Sequence, residues 1–137
     1  MTSPDPSSPA VLGLPRHLLR LEGLAVLAAA TLGYAALGGS WPLFAALFLL
    51  PDLAMAGYLR GPALGALAYN LAHSHLSPAV LAAAGLVLGA EEAVAVALIW
   101  SAHIGFDRAL GYGLKYPEGF AATHLGRLAT PRPRRPG

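Results

Sequence analysis

The sequence predicts an all-α integral membrane bundle of four transmembrane helices, and three observations predict it. Of 137 residues, 55% are hydrophobic and only 12% are charged, about half the charged share of a soluble domain. The apolar residues gather in four stretches, each near or above the roughly 20 residues a helix needs to cross a bilayer. The basic residues fall on one side of the alternation that four crossings would generate. Mean hydropathy is +0.55. With no cysteine, disulfides and thiolate chemistry are excluded.

The leader "MTSPDPSSPAVLGLP" (1–15) is rich in Pro and Ser and has no sustained period, so it reads as disordered. The first span runs from Leu18 to Leu37 and ends at "GGS". Glu22 inside it, the long leader and the three spans that follow favour a retained helix over a cleaved signal peptide. The second span runs from Trp41 to Leu59 and carries one charge, Asp52, just after Pro51. The third covers Pro62 to Leu88 without an acidic side chain, Lys or Arg. It is too long for one upright crossing, and Pro78 is expected to kink it. The fourth runs from Ala93 to Leu114. Residues 16–126 thus form one transmembrane domain, closed by an interfacial segment (113–126), and 127–137 form a basic disordered tail.

Charge sets the orientation. Alternating spans put Arg16, Arg20, Arg60, Lys115, Arg127 and the tail arginines on one side, against "GGSW" and "GAEE" on the other. The excess of Lys and Arg places both termini in the cytoplasm.

Helical rise then gives the intramembrane polar groups similar heights. Asp52 lies about 10 Å above the cytoplasmic face, Asn70 about 12 Å and His73 about 16 Å. His103 sits near mid-membrane and Asp107 about one turn lower. Charged residues in lipid are costly and usually face the bundle interior, where they pair. His103 and Asp107 are i,i+4 on one face; Asn70, His73 and Ser74 share another. "HSH" turns His75 away from that face, leaving His73 as the interior histidine.

Three readings fit such a cluster. It can be a hydrogen-bond and ion-pair network that sets helix register, with Asp52 or Asp107 held against Arg108 or Arg60. It can be a metal site, since imidazoles and carboxylates on facing bundle helices hold Zn, Mn or Fe. It can be a proton or solute path through Glu22, Asp52, His73 and His103, which with four short spans calls for a homo-oligomer.

The segment "GYGLKYPEGFAATHLGRL" has two readings of its own. One is an interfacial aromatic anchor with Lys115 snorkelling. The other is a lid folding back under the bundle, with Lys115, His124 and Arg127 meeting an anionic lipid head group. There is no phosphate-cradling glycine loop, no G-x-S-x-G and no nucleic-acid-binding motif.

"LLRLEGLAVL", "PDLAMAGYLRGPALGALAYNLAHS", "IWSAHIGFDRALGYGLKYPEGF" and "THLG" together resemble the bacterial membrane family known as domain of unknown function 4260, over residues 18 to about 126. This implies a multi-pass protein of the bacterial inner (plasma) membrane and brings no activity. The order of "LLPD", "AHS" and "HIGFD" also resembles bacterial membrane-bound metal-dependent hydrolases. That resemblance implies Asp52, His73, His103 and Asp107 as metal ligands, with departures at Ala54 and Ala72, where that family has an aspartate and a threonine. The leading expectation is therefore a membrane-embedded, metal-dependent hydrolase of a lipid-like substrate, using a divalent ion such as Zn or Mn to acidify a bound water. Glu22 would be the general base, and Arg108 or Lys115 would hold an anionic group, with Asn70 beside the site. The alternative is a non-enzymatic structural or proton/solute-transport subunit that uses the same residues for packing or relay.

Overall fold

The computed structural model describes residues 10–117 and 120–127. The disorder expected at the chain ends concerns mainly 1–9 and 128–137, which lie outside the described residues. Residues 13–15, read as part of the leader, instead open the first helix.

Five α-helices follow one another: α1 (Gly13–Ala36), α2 (Trp41–Phe48), α3 (Pro62–His73), α4 (Leu76–Leu88) and α5 (Glu91–Leu110). A 3-10 helix, Leu50–Arg60, continues α2, and a short antiparallel hairpin, β1 (Ala122–Thr123) with β2 (Gly126–Arg127), ends the described chain. Gly13–Ala36, Trp41–Arg60 and Glu91–Leu110 are each long and apolar enough to cross a membrane; α3 and α4 pass the same test together but are bent by 42°. Large aliphatic side chains cover the outside, among them Leu32, Leu59, Leu86 and Val87. Such a surface suits lipid, not water.

Two elements depart from the expected pattern for local reasons. The second stretch is not one α-helix. Pro51 has no N–H to return to the carbonyl four residues back, and the chain tightens after Phe48 into the 3-10 helix. With three residues per turn, side chains at i and i+3 eclipse, which stacks Asp52 and Met55 on one edge.

The third stretch breaks at Ser74, whose backbone is extended (φ −89°, ψ 136°), and not near Pro78. Pro78 is the third residue of α4, where no intrahelical donor is needed. The break frees carbonyls at the end of α3, and three side chains take them. Ser77 Oγ donates to Leu71 O, Trp100 Nε1 to Ala72 O (2.6 Å) and Arg108 Nη2 to His73 O (2.8 Å). In lipid, each carbonyl left unpaired would cost several kcal/mol.

The fourth stretch becomes α5, which starts at Glu91 with both glutamates in its first turn, where the helix dipole favours anions. It stops at Gly111 (φ 94°), short of Leu114. There Gly111 N donates to Arg108 O (3.0 Å) and Tyr112 N to Asp107 O (2.8 Å), a left-handed cap that glycine accepts without strain.

α1 and α5 run antiparallel with backbones in contact. A Cβ on Gly105 would lie 2.6 Å from Gly23 O, and one on Gly23 would lie 2.8 Å from Gly105 O. Small residues allow this approach. It holds the α5 turn carrying His103 and Asp107 against a rigid neighbour. By contrast, a Cβ on Gly33 would meet only Leu98 methyls at 3.5 Å.

The pair gives a test. Gly105→Ala should lower the melting temperature of detergent-solubilised protein, by an equivalent of about 1–3 kcal/mol. Gly33→Ala should leave it unchanged or raise it, the mid-helix gain being roughly 0.5–1 kcal/mol.

Candidate metal centre

Asp52 on the 3-10 helix, His73 at the end of α3, and His103 and Asp107 on α5 meet in one cluster, each offering one ligand atom within 4.8 Å of the others. His73 Nε2 lies 3.1 Å from His103 Nε2, 3.3 Å from Asp52 Oδ1 and 3.4 Å from Asp107 Oδ2. His103 Nε2 lies 3.3 Å from Asp52 Oδ1 and 3.5 Å from Asp107 Oδ2. A tetrahedral ion with ligands at about 2.0–2.1 Å holds them about 3.3–3.4 Å apart. The spacing is that of a coordination shell.

Protonation points the same way. His73 Nδ1 lies 2.9 Å from Tyr69 O. A carbonyl only accepts, so Nδ1 carries the proton, and Nε2 of the neutral ring presents a lone pair to the cluster centre. An outer hydrogen bond of this kind orients metal-binding histidines. Aromatic rings fix the planes: Tyr69 stacks on His73 with centroids 3.7 Å apart, and Phe48 meets His103 edge-on at 5.2 Å. Phe48 ends a run of ring contacts from Tyr34 through Phe44. Tyr69 Oη also donates to Asp107 Oδ2 over a long 3.5 Å.

Both histidines and Asp107 are buried, whereas the Asp52 side chain is one-third exposed. The cluster therefore opens on the carboxylate side, into a cleft of about 480 Å³ lined by Asp52, Met55, Tyr69, Asp107, Tyr112, Lys115 and Phe120. A separate apolar groove of about 230 Å³ runs along the other edge of the 3-10 helix, past Pro51, Ala54 and Trp100.

The remaining candidates are placed differently from their expected roles. Glu22 is exposed on α1 and takes no part in the cluster. Arg108, expected to hold an anion, spends Nη1 on Tyr112 O (2.9 Å) and Nη2 on His73 O (2.8 Å). It ties the end of α3 to the chain leaving α5. Asn70 works on backbone too: Nδ2 donates to Lys115 O (2.8 Å) and Lys115 N donates to Asn70 Oδ1 (2.6 Å). His75 faces outward.

The segment after α5 folds back on the bundle and buries Lys115. Lys115 bridges Thr123, Leu114 N donates to His124 Nδ1 (2.8 Å), His124 N to Leu114 O (3.1 Å) and Val11 N to His124 O (2.7 Å). Lys115 is 3% exposed, and its Nζ lies 4.8 Å from the Tyr69 ring centroid and 3.9 Å from that of Phe120. The Arg127 side chain lies outside the described residues.

Sequence reasoning missed Tyr69 and Trp100. Tyr69 is four residues before His73, so the i,i+4 rule could have found it. Trp100 carried no local signal, because the carbonyl it serves is freed by a distant break.

Burial pushes the His124 imidazole below its ordinary value, with Arg108 adding to the fall and the contact with the Leu114 backbone opposing it. Burial likewise pushes the Lys115 amine down to about 8, against the opposing pull of Asp107, while Arg108 lowers it further. Lys115 is the only lysine, so one ε-methylene NMR resonance reports it. In metal-free protein that resonance should titrate near pH 8, with the ammonium form dominant at pH 7 and lost above 8. Asn70→Ala, which releases the backbone, should move the midpoint up towards 10.5.

No curated protein and no solved structure matches the chain. One family model does, described as "Domain of unknown function (DUF4260)", over residues 16–128. That match takes in every described helix from the second turn of α1 onwards and all four residues of the cluster, and the chain belongs to this family.

Proposed function

We propose that the protein crosses the bacterial inner membrane four times with both termini in the cytoplasm. There it holds a divalent ion on Asp52, His73, His103 and Asp107 and hydrolyses a membrane-borne amphiphile. The observation that carries this is the set of five donor separations between 3.1 and 3.5 Å. Two nitrogens and two oxygens favour zinc, with manganese second. The antiparallel packing of α1 on α5 supports an even number of crossings, with α3 and α4 as one bent span.

Asp52, His73, His103 and Asp107 would hold a divalent ion, which would supply Lewis-acid activation of water and of the bond to be cleaved. The chain supplies the rest. Asp107 and the two buried imidazoles fix the shell. Asp52, the most exposed member of the cluster and a wall of the cleft, would take the proton from the attacking water; Glu22 is exposed on α1 outside the cluster. Tyr69 steadies Asp107 and the His73 ring together. The cleft admits the substrate head while apolar helix surface keeps the rest in lipid. In the net reaction water adds across an ester bond, giving an acid and an alcohol.

Detergent-purified protein should contain about one equivalent of zinc or manganese by elemental analysis. His103→Ala and Asp107→Asn should each lose it, while Glu22→Gln keeps both metal and activity. Chelation should abolish ester hydrolysis and metal should restore it. Metal-free wild type, or unchanged metal in folded His103→Ala, overturns the reading in favour of a packing network.

A further inference from the structure

The metal ligands leave one buried charged group in the cleft unexplained. Among the described residues, Lys115 Nζ is buried and has no hydrogen-bond partner. Its side chain is 3% exposed and lines the same cleft as Asp52 and Asp107. The faces of Tyr69 and Phe120 attract a cation, but they offer no lone pair, so three N–H donors stay unspent. A buried ammonium is costly without a hydrogen-bonded counter-charge. Asn70 holds the Lys115 backbone through both its N–H and its carbonyl.

The charges around the cleft say what kind of group is missing. Asp52 and Asp107 balance Arg108 and Lys115 when the cluster is empty. A divalent ion leaves two positive charges in surplus. Arg108 contributes charge but gives an N–H of each terminal nitrogen to a carbonyl and does not line the cleft, so the cation on the cleft wall is Lys115. A monoanion such as a carboxylate or phosphodiester cancels half the surplus. A phosphate monoester, at about −1.5 to −2 near neutral pH, cancels nearly all of it. Its tetrahedral oxygens can also face a metal and an ammonium at once.

We propose that the loaded metal centre and Lys115 together form a receptor for a terminal phosphate group, on an amphiphile or as free phosphate, so that metal and phosphate each tighten the other's binding. This rests on the metal centre proposed above and assigns the class of group that it acts on or retains.

The test uses full-length protein in detergent. Manganese binding is followed by the loss of its free EPR signal, with and without saturating inorganic phosphate. Phosphate should tighten manganese by about tenfold or more, and reciprocity requires manganese to tighten phosphate equally. Micelles containing phosphatidic acid in place of phosphate identify a lipid head as the source if they give the larger effect. Phosphatidylglycerol, a diester, should give little. Lys115→Met should still take up manganese but lose the linkage. In zinc-loaded wild type, the Lys115 ε-methylene resonance should shift on phosphate addition. Normal manganese binding with no linkage, linkage that survives in Lys115→Met, or an unmoved lysine resonance overturns the phosphate receptor and leaves the metal centre standing. No manganese or zinc uptake at all overturns both.

Discussion

Four electron-rich atoms aimed at one point, inside a bundle whose exterior is hydrocarbon, form the constraint on which the rest depends. The His73 tautomer is decided by the Tyr69 carbonyl, so its lone pair faces His103 Nε2 and two carboxylate oxygens at near-contact distance. Lone pairs and negative charges do not hold such a geometry by themselves; a cation or shared protons must lie between them. The five separations lie between 3.1 and 3.5 Å, a spacing that a single ion at the centre would match.

The irregularities of the backbone serve this convergence. The 3-10 winding after Pro51 turns Asp52 inward with Met55 behind it, and the break at Ser74 ends α3 where the His73 ring reaches the cluster. The break is stabilised by Ser77 on α4 and by Trp100 and Arg108 on α5, which donate to the carbonyls it releases. One turn of α5 thus supplies two ligands and a cation that holds the neighbouring helix end. That turn is fixed in turn by the contact between Gly23 and Gly105. Site and scaffold share residues, so a change in either is felt in both.

Much of this was legible from sequence. Hydropathy located the apolar stretches, and helical spacing put His103 with Asp107 and His73 with Asn70. The rule that buried charges seek each other drew Asp52 towards them, and the cluster carries all four residues that the hydrolase resemblance implied. What escaped had non-local causes. Pro78 looked like the kink because prolines break helices, but the carbonyl donors that decide the break lie roughly 28–35 residues away in sequence. Glu22 was grouped by height alone; height does not fix rotation, and Gly23 is the residue that faces α5. Arg108 and Asn70 were read as binding groups from side-chain chemistry, whereas both serve backbone. The glycines that matter were likewise obscure, since Gly23 and Gly105 belong to no G-x-x-x-G pair and meet only through tertiary packing.

The low dielectric around the cluster would tie metal binding, as proposed, to folding. In water, two carboxylates and two imidazoles brought together at the distances found here would be hydrated and nearly indifferent to one another. In a bundle that excludes water, their mutual repulsion and desolvation must be offset within the site, and a divalent ion does so most directly. Affinity for such an ion would appear as stability of the whole bundle, because no unfolded or splayed state keeps the four side chains together. The most exposed member of the cluster is a carboxylate, Asp52, on the wall of the cleft, whereas the buried imidazoles are held in place against Tyr69 and Phe48. The site thus has one exposed wall and three buried ones, with the exposed wall facing the cleft that also contains Lys115.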